Sequence, residues 1–166
     1  MSEPDFQPTL SGPTVIVRPI SSDDWPELFA AGSDPEIWKL HPVKDRYTEA
    51  GFRRYFDSAV ASKMGFVFVD RATSRLIGSS RYYGYEPERS EIEIGWTFIV
   101  RSHWGGAANR EVKCLMLDRI HLRRHRHLLG GREELALTGS HDQDRRSAAR
   151  GCPYPRIIRE RSLRRV

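Results

Sequence analysis

The chain has 166 residues, with 27 Lys+Arg against 22 Asp+Glu, a formal net charge of +5 and two cysteines. That length suits one domain with a single core, and no internal repeat argues for a solenoid. The apolar runs are far below a membrane span, Met1-Ser-Glu-Pro-Asp5 has no signal-peptide pattern, and Cys114 and Cys152 match neither a disulfide framework nor a metal spacing. A soluble protein of the cytoplasm, without a metal, is therefore expected.

Residues 1–13 read as an N-terminal tail. Val15 to Ile20 is a short strand, and Ser21-Ser-Asp-Asp24 offers an N-cap and first-turn acids for a helix near Trp25 to Ala31. Phe52, Tyr55, Phe56, Ala59 and Val60 recur at helical spacing, which predicts a second helix from Thr48 through Lys63. Phe66-Val-Phe-Val69 is an unbroken run of β-formers, as in a strand covered on both faces. Asp70 to Ser74 turns the chain, Leu76 to Tyr83 returns it as a hairpin, and Tyr85 to Ser90 is the next turn. Glu91 to Val100 alternates, placing Ile92, Ile94, Trp96 and Phe98 on one face and Glu91, Glu93 and Thr97 on the other. After a small-residue turn, Val112, Leu115, Met116 and Ile120 form one helical stripe.

The turn Trp104-Gly-Gly-Ala-Ala-Asn109 carries the chemistry. A strand that feeds a turn of small residues opening a helix leaves backbone N–H groups at the positive end of the helix dipole, a place that favours a diphosphate. An ordinary tight turn would look the same. Glu-Ile-Gly-Trp96 before the turn and Trp-Gly-Gly106 after a short spacer together resemble the acyl-CoA-binding core of the GNAT acetyltransferase superfamily, in its ribosomal-protein N-acetyltransferase (Rim-type) branch.

The resemblance spans roughly Thr14 to Asp118 and implies an α/β (α+β) fold, a mixed and mainly antiparallel sheet flanked by helices. The GNAT-like domain is expected over residues 14–122. It also implies acetyl-CoA as cosubstrate and an amine acceptor, either a protein N-terminus or a small amine. On the family turn Gln/Arg-x-x-Gly-x-Gly/Ala, Trp104 takes the first place, Ala107 the central glycine place and Asn109 the last. Residues Trp104, Gly105, Gly106, Ala107, Ala108 and Asn109 would then hold the pyrophosphate, and the backbone of Phe98, Ile99 and Val100 would face the cofactor. Acetyl transfer needs a neutral amine, so Glu91 or Glu93 is the candidate proton acceptor, with Glu93 favoured beside the cofactor strand. Either could equally be a solvated sheet-face carboxylate. Ser79, Ser80, Arg81 and Tyr83 on the neighbouring strand are candidate acceptor-pocket residues, or plain sheet surface. His103 reads as incidental to its turn, and Cys114 as a packing residue.

Composition changes abruptly at Arg119. The last 48 residues carry 13 Arg, no Lys and 5 Asp+Glu, and of the aromatic residues they hold Tyr154 alone. Residues 123–166 therefore read as an Arg-rich, poorly ordered tail without the splayed strand and closing elements of a GNAT domain. A basic nucleic-acid-binding tail is one alternative, which would make the protein a non-catalytic binder. A shifted reading frame is another. Codons permitted for residues 120–146, regrouped from their second bases, can read STFVDTVIFWVGEKNWRSQGAMTKIG, which resembles the missing strand and helix. On that reading the acetyltransferase is impaired in this chain.

Overall fold

The structure, a computed structural model, describes residues 6–86, 88 and 91–128, the side chains of Glu91 and of residues 120–128 excepted. Five strands form one antiparallel sheet in the order β1-β2-β3-β4-β5: β1 (Leu10–Ser11), β2 (Val15–Pro19), β3 (Gly65–Asp70), β4 (Leu76–Glu86) and β5 (Glu91–Ile99). Between β2 and β3 lie α1 (Trp25–Gly32), α2 (Pro35–Trp38) and α3 (Glu49–Ala61), and α4 (Ala108–Leu128) follows β5. The described residues thus show the mixed, mainly antiparallel α/β architecture that the sequence implies.

Local chemistry sets the helix starts. Ser21 forms a full capping box with Asp24 over a 3-10 turn at Ser22–Asp24 that leads directly into α1. Arg18 clamps the Asp24 carboxylate through both terminal nitrogens at 2.9 and 2.7 Å, tying the end of β2 to this entry. Thr48 caps α3 by accepting from Gly51 N at 3.1 Å. The four-residue α2, with Asp34 as its cap and Pro35 at its start, is too short for periodicity to announce.

Helices α1, α2 and α3 cover one face of the sheet. Their core joins Leu28, Ile37, Trp38, Phe52, Tyr55, Phe56 and Ala59 to Val67 and Phe98 of the sheet. Phe52 is its hub, with the rings of Trp25, Phe29, Trp38, Tyr55 and Phe98 at 5.9, 5.6, 6.3, 5.4 and 5.8 Å. On the opposite face Val15, Val17, Phe66, Phe68 and Tyr82 are buried. Strand β3 is therefore covered on both sides, as its unbroken apolar run implied. Gly78 in β4 lets β5 close in: a Cβ there would lie 2.2 Å from Phe98 O.

The clean alternation expected for Glu91–Val100 is not what forms. Arg81 pairs with Gly95 and Ser79 with Phe98, so Trp96 and Thr97 together face Ser80 alone. This is a β-bulge, and it moves Phe98 to the face opposite Ile94. Trp96 carries the extra residue's backbone at φ 57 and is 40% exposed, while Phe98 is buried. Strand β4 also runs on to Glu86, taking in Tyr85, which had been assigned to the turn.

By contact, residues 1–112 form one compact unit and residues 113–166 a second. Val112 and Met116 of the expected stripe are buried, and Leu115 is partly so. Helix α4 continues to Leu128, several residues into the segment read as tail, because His121-Leu-Arg-Arg-His-Arg-His-Leu128 contains no Gly or Pro to stop it. Cys114, expected to pack within a helix, lies half-buried in α4 and is disulfide-bonded. The poorly ordered tail, Tyr154 and most of the proposed frame shift lie outside the described residues. No helix among the described residues is long and apolar enough to cross a membrane.

Truncating the hub separates core from surface. Phe52→Ala should lower unfolding free energy by about 3–5 kcal/mol in urea titration. Leu40→Ala, at a side chain 99% exposed, should move it by less than about 0.5 kcal/mol.

Candidate active site

The bulge gathers polar groups from both faces of the sheet. Ser80 Oγ lies 3.0 Å from Gly95 O, as donor, and 2.8 Å from Thr97 Oγ1. Tyr55 Oη donates to Trp96 O at 2.7 Å from α3. Side chains thus satisfy two carbonyls in the bulge. Ser79 and Ser80 are both buried, so Ser80 braces the bulge from within the fold.

The neighbouring residues stack on Trp96. The Arg81 guanidinium sits 3.8 Å from its ring centroid and that of Arg46 sits 4.9 Å away. Arg46 comes from the 3-10 turn Asp45–Tyr47 that precedes α3, and it also faces the rings of Trp38 at 5.5 Å and Tyr55 at 5.1 Å. Arg81 Nη1 donates to Ser58 Oγ at 3.0 Å. Burial pulls the pKa of each arginine below its ordinary value.

Of the two candidate bases, Glu93 stands opposite Tyr83 in the β4–β5 register and accepts from Tyr83 Oη at 2.7 Å. Burial first, and then the bond and charge of Glu93, push the Tyr83 phenol up to about 12. It is therefore a neutral donor throughout the physiological range. The Glu91 side chain lies outside the described residues. Arg81, Tyr83 and Glu93 are brought together on one face with Gly95.

Beyond the bulge, β5 delivers the chain to the expected turn. Val100 N donates to Ile77 O at 2.8 Å, and Trp104 Nε1 donates to Ile99 O at 2.8 Å. A 3-10 turn at Arg101–His103 follows, then Trp104 to Ala107, all exposed, and α4 begins at Ala108. Gly105 takes φ +72, which a side chain would strain, and no atom lies within 4 Å of where its Cβ would be. The small residues of this turn therefore present open backbone at the start of a long helix. Arg46, Tyr55 and Trp96 were not among the site residues read from the sequence. Only Trp96 carried a hint, inside Glu-Ile-Gly-Trp.

The profile of the GNAT acetyltransferase domain matches residues 14–141, more than half of the chain. The chain belongs to the GNAT acetyltransferase family. Its matched segment extends past Asp118, where the sequence resemblance was expected to stop. Solved GNAT structures share the fold. A GCN5-related N-acetyltransferase from Brucella melitensis superposes at TM-score 0.62 with 22% identity, over 69% of this chain and 54% of that one. A GNAT-family acetyltransferase from Bacillus anthracis gives 0.60 and 17%, over 71% of this chain and 69% of that one. The ribosomal-protein-S5-alanine acetyltransferase from Vibrio fischeri gives 0.55 and 16%, over 70% of this chain and 69% of that one. The chain spans just over half the length of the first of these. No curated protein gives a significant match. Members of this family generally move an acetyl group from acetyl-CoA to an amine, proteins among the acceptors.

Two phenols make the site's packing measurable at high pH. Tyr55, through burial, and Tyr83 are both pushed up to about 12 in the folded chain, against about 10 unfolded. Their contribution to stability is whole below the unfolded value and is lost as pH rises from about 10 towards about 12. Phenolate absorbance should show Tyr55 and Tyr83 titrating late in the native protein and normally in urea. Urea midpoints should fall across the same window.

Proposed function

We propose that this GNAT domain transfers the acetyl group of acetyl-CoA to an amine whose proton is taken by Glu93. The observation that supports this most is the pairing of Tyr83 on β4 with Glu93 on β5, the strand that runs through the bulge towards the exposed Trp104–Ala107 turn. The turn, with Gly105, Gly106, Ala107, Ala108 and the start of α4, would take the pyrophosphate by its backbone N–H groups and the helix dipole. The free edge of β5 near Phe98, Ile99 and Val100 would lie along the pantetheine. Among the described residues β5 is paired on one side only, which leaves that edge open to a ligand.

The step balances as follows. Glu93 accepts a proton from the incoming ammonium, and the neutral nitrogen attacks the thioester carbonyl to form the C–N bond. The tetrahedral oxyanion collapses and the C–S bond breaks; the nitrogen sheds its second proton to the departing thiolate, directly or through water, and Glu93 returns its proton to solvent. Tyr83, held as a neutral donor, orients the Glu93 carboxylate without supplying charge of its own. Ribosomal proteins and small amines are both acceptors of the right chemistry. The composition break at Arg119 supports the reading that the frame shifts near there. Full turnover is accordingly expected from a frame-restored chain and weaker turnover from the chain as written.

Acetyl-CoA at a hundred times its dissociation constant should raise the unfolding free energy by about 2.7 kcal/mol. RNA and DNA should not. In the frame-restored chain Glu93→Gln should lower kcat/KM by about 10²- to 10⁴-fold. Absence of acetyl-CoA protection in both versions would contradict the proposal, as would an unchanged kcat/KM in the variant.

A further inference from the structure

Arg46 and Arg81 are 7% and 8% exposed, and neither pairs with a carboxylate among the described residues. Burying a guanidinium costs several kcal/mol unless its charge and its N–H groups are met. Here the groups in direct contact with the two charges are mainly aromatic faces. Trp96, Tyr55 and Trp38 lie under Arg46, and Trp96 under Arg81. A ring face binds a guanidinium above its plane and leaves the in-plane donors unspent. Arg81 Nη1 reaches Ser58, whereas Arg81 Nε is buried with no partner. Arg81 also stands close enough to help lower the pKa of Arg46, after burial.

A platform with these properties lacks one component, an anion. We infer that Arg46 and Arg81 form a carboxylate-binding subsite beside the Trp96 bulge, so that the acceptor is an amine that itself carries a carboxylate. The word acceptor rests on the acetyl-transfer reading; the subsite does not. A planar carboxylate matches the guanidinium fork and can take two parallel N–H bonds. Trp96, the exposed member of the stack, is the side chain a ligand meets on its way in. Glu93 stands on the same strand and, through its bond to Tyr83, on the face that also holds Arg81. A carboxylate held by the arginines therefore leaves the amine at the other end of the molecule to approach Glu93. The opposite charges of the two ends would fix the direction of binding.

The probes are two C-terminally amidated dipeptides that differ in one charge, alanylglutamate and alanylglutamine. They are titrated calorimetrically into the full chain without acetyl-CoA. The glutamate probe should bind at least tenfold tighter, and the preference should fall below threefold in Arg81→Gln and in Arg46→Gln. Arg81→Lys keeps the charge but not the fork, and should retain only part of the preference. Arg53→Gln is the control, because Arg53 stacks on Trp25 away from the bulge, and it should leave the preference intact. Equal binding of the probes, or no binding of either, overturns the subsite. So does a preference that survives every Arg46 and Arg81 variant that folds. Should the glutamine variants not fold, the lysine variant and the control decide the matter. An intact preference with no acetyl transfer to any amine by the frame-restored chain leaves the subsite standing and overturns the transferase reading instead.

Discussion

One extra residue in β5 governs the site. Without a bulge, a strand that buries Phe98 against Val67 and Phe52 would keep Trp96 and Ile94 on the same side. The insertion of Trp96 opposite Ser80 lets both halves of the strand keep their own faces: Glu93 and Gly95 beside Arg81, and Phe98 in the core. The backbone meets this demand at an unfavourable place. A bulky residue at φ 57 is a rare conformation that costs about 1–2 kcal/mol. Surrounding groups hold it there, with Tyr55 bonded to its carbonyl and two guanidinium groups on its ring. Strain held in this way, next to unpaired buried charge, is characteristic of places where a protein binds something.

The same constraint links the core to the chemistry. Tyr55 belongs both to the aromatic cluster around Phe52 and to the bulge, so the packing of α3 positions Trp96 directly. Arg46 enters from the turn before α3, whose end is fixed by the Thr48 cap. The helices on this face therefore do more than bury the sheet. They bring Arg46, Tyr55 and Ser58 to the polar groups of β4 and β5. The turn at Trp104–Ala107 is tied down less, being exposed and held chiefly by the bond of Trp104 Nε1 to Ile99 O.

Much of this was legible in the sequence. Local rules sufficed for β2, the Ser21 box, α3 and β3, because each is announced by its own cap or period. The order of strands and helices, together with Glu-Ile-Gly-Trp96 and Trp-Gly-Gly106, carried the family. The bulge was not legible. A period-2 pattern shows which residues could share a face, but the register shift depends on what Ser80 and Gly78 allow across the strand. Arg46 was missed for a similar reason: it lies 35 residues from Arg81 in sequence, and aromatic stacking leaves no spacing rule. Glu93 and Tyr83 were both named, yet their pairing needed the register.

The central claim is that Trp96 occupies a left-handed bulge position, and glycine against alanine tests it most directly. Both substitutions remove the ring and its cation–π contacts, so they differ only in backbone preference. At an ordinary strand position Gly is less stable than Ala by about 0.5–1 kcal/mol. At φ 57 the order should reverse, with Trp96→Gly more stable than Trp96→Ala in urea titration by a comparable amount. Finding Trp96→Ala the more stable of the two would mean that β5 runs through regular strand, and the account of the site would fail with it.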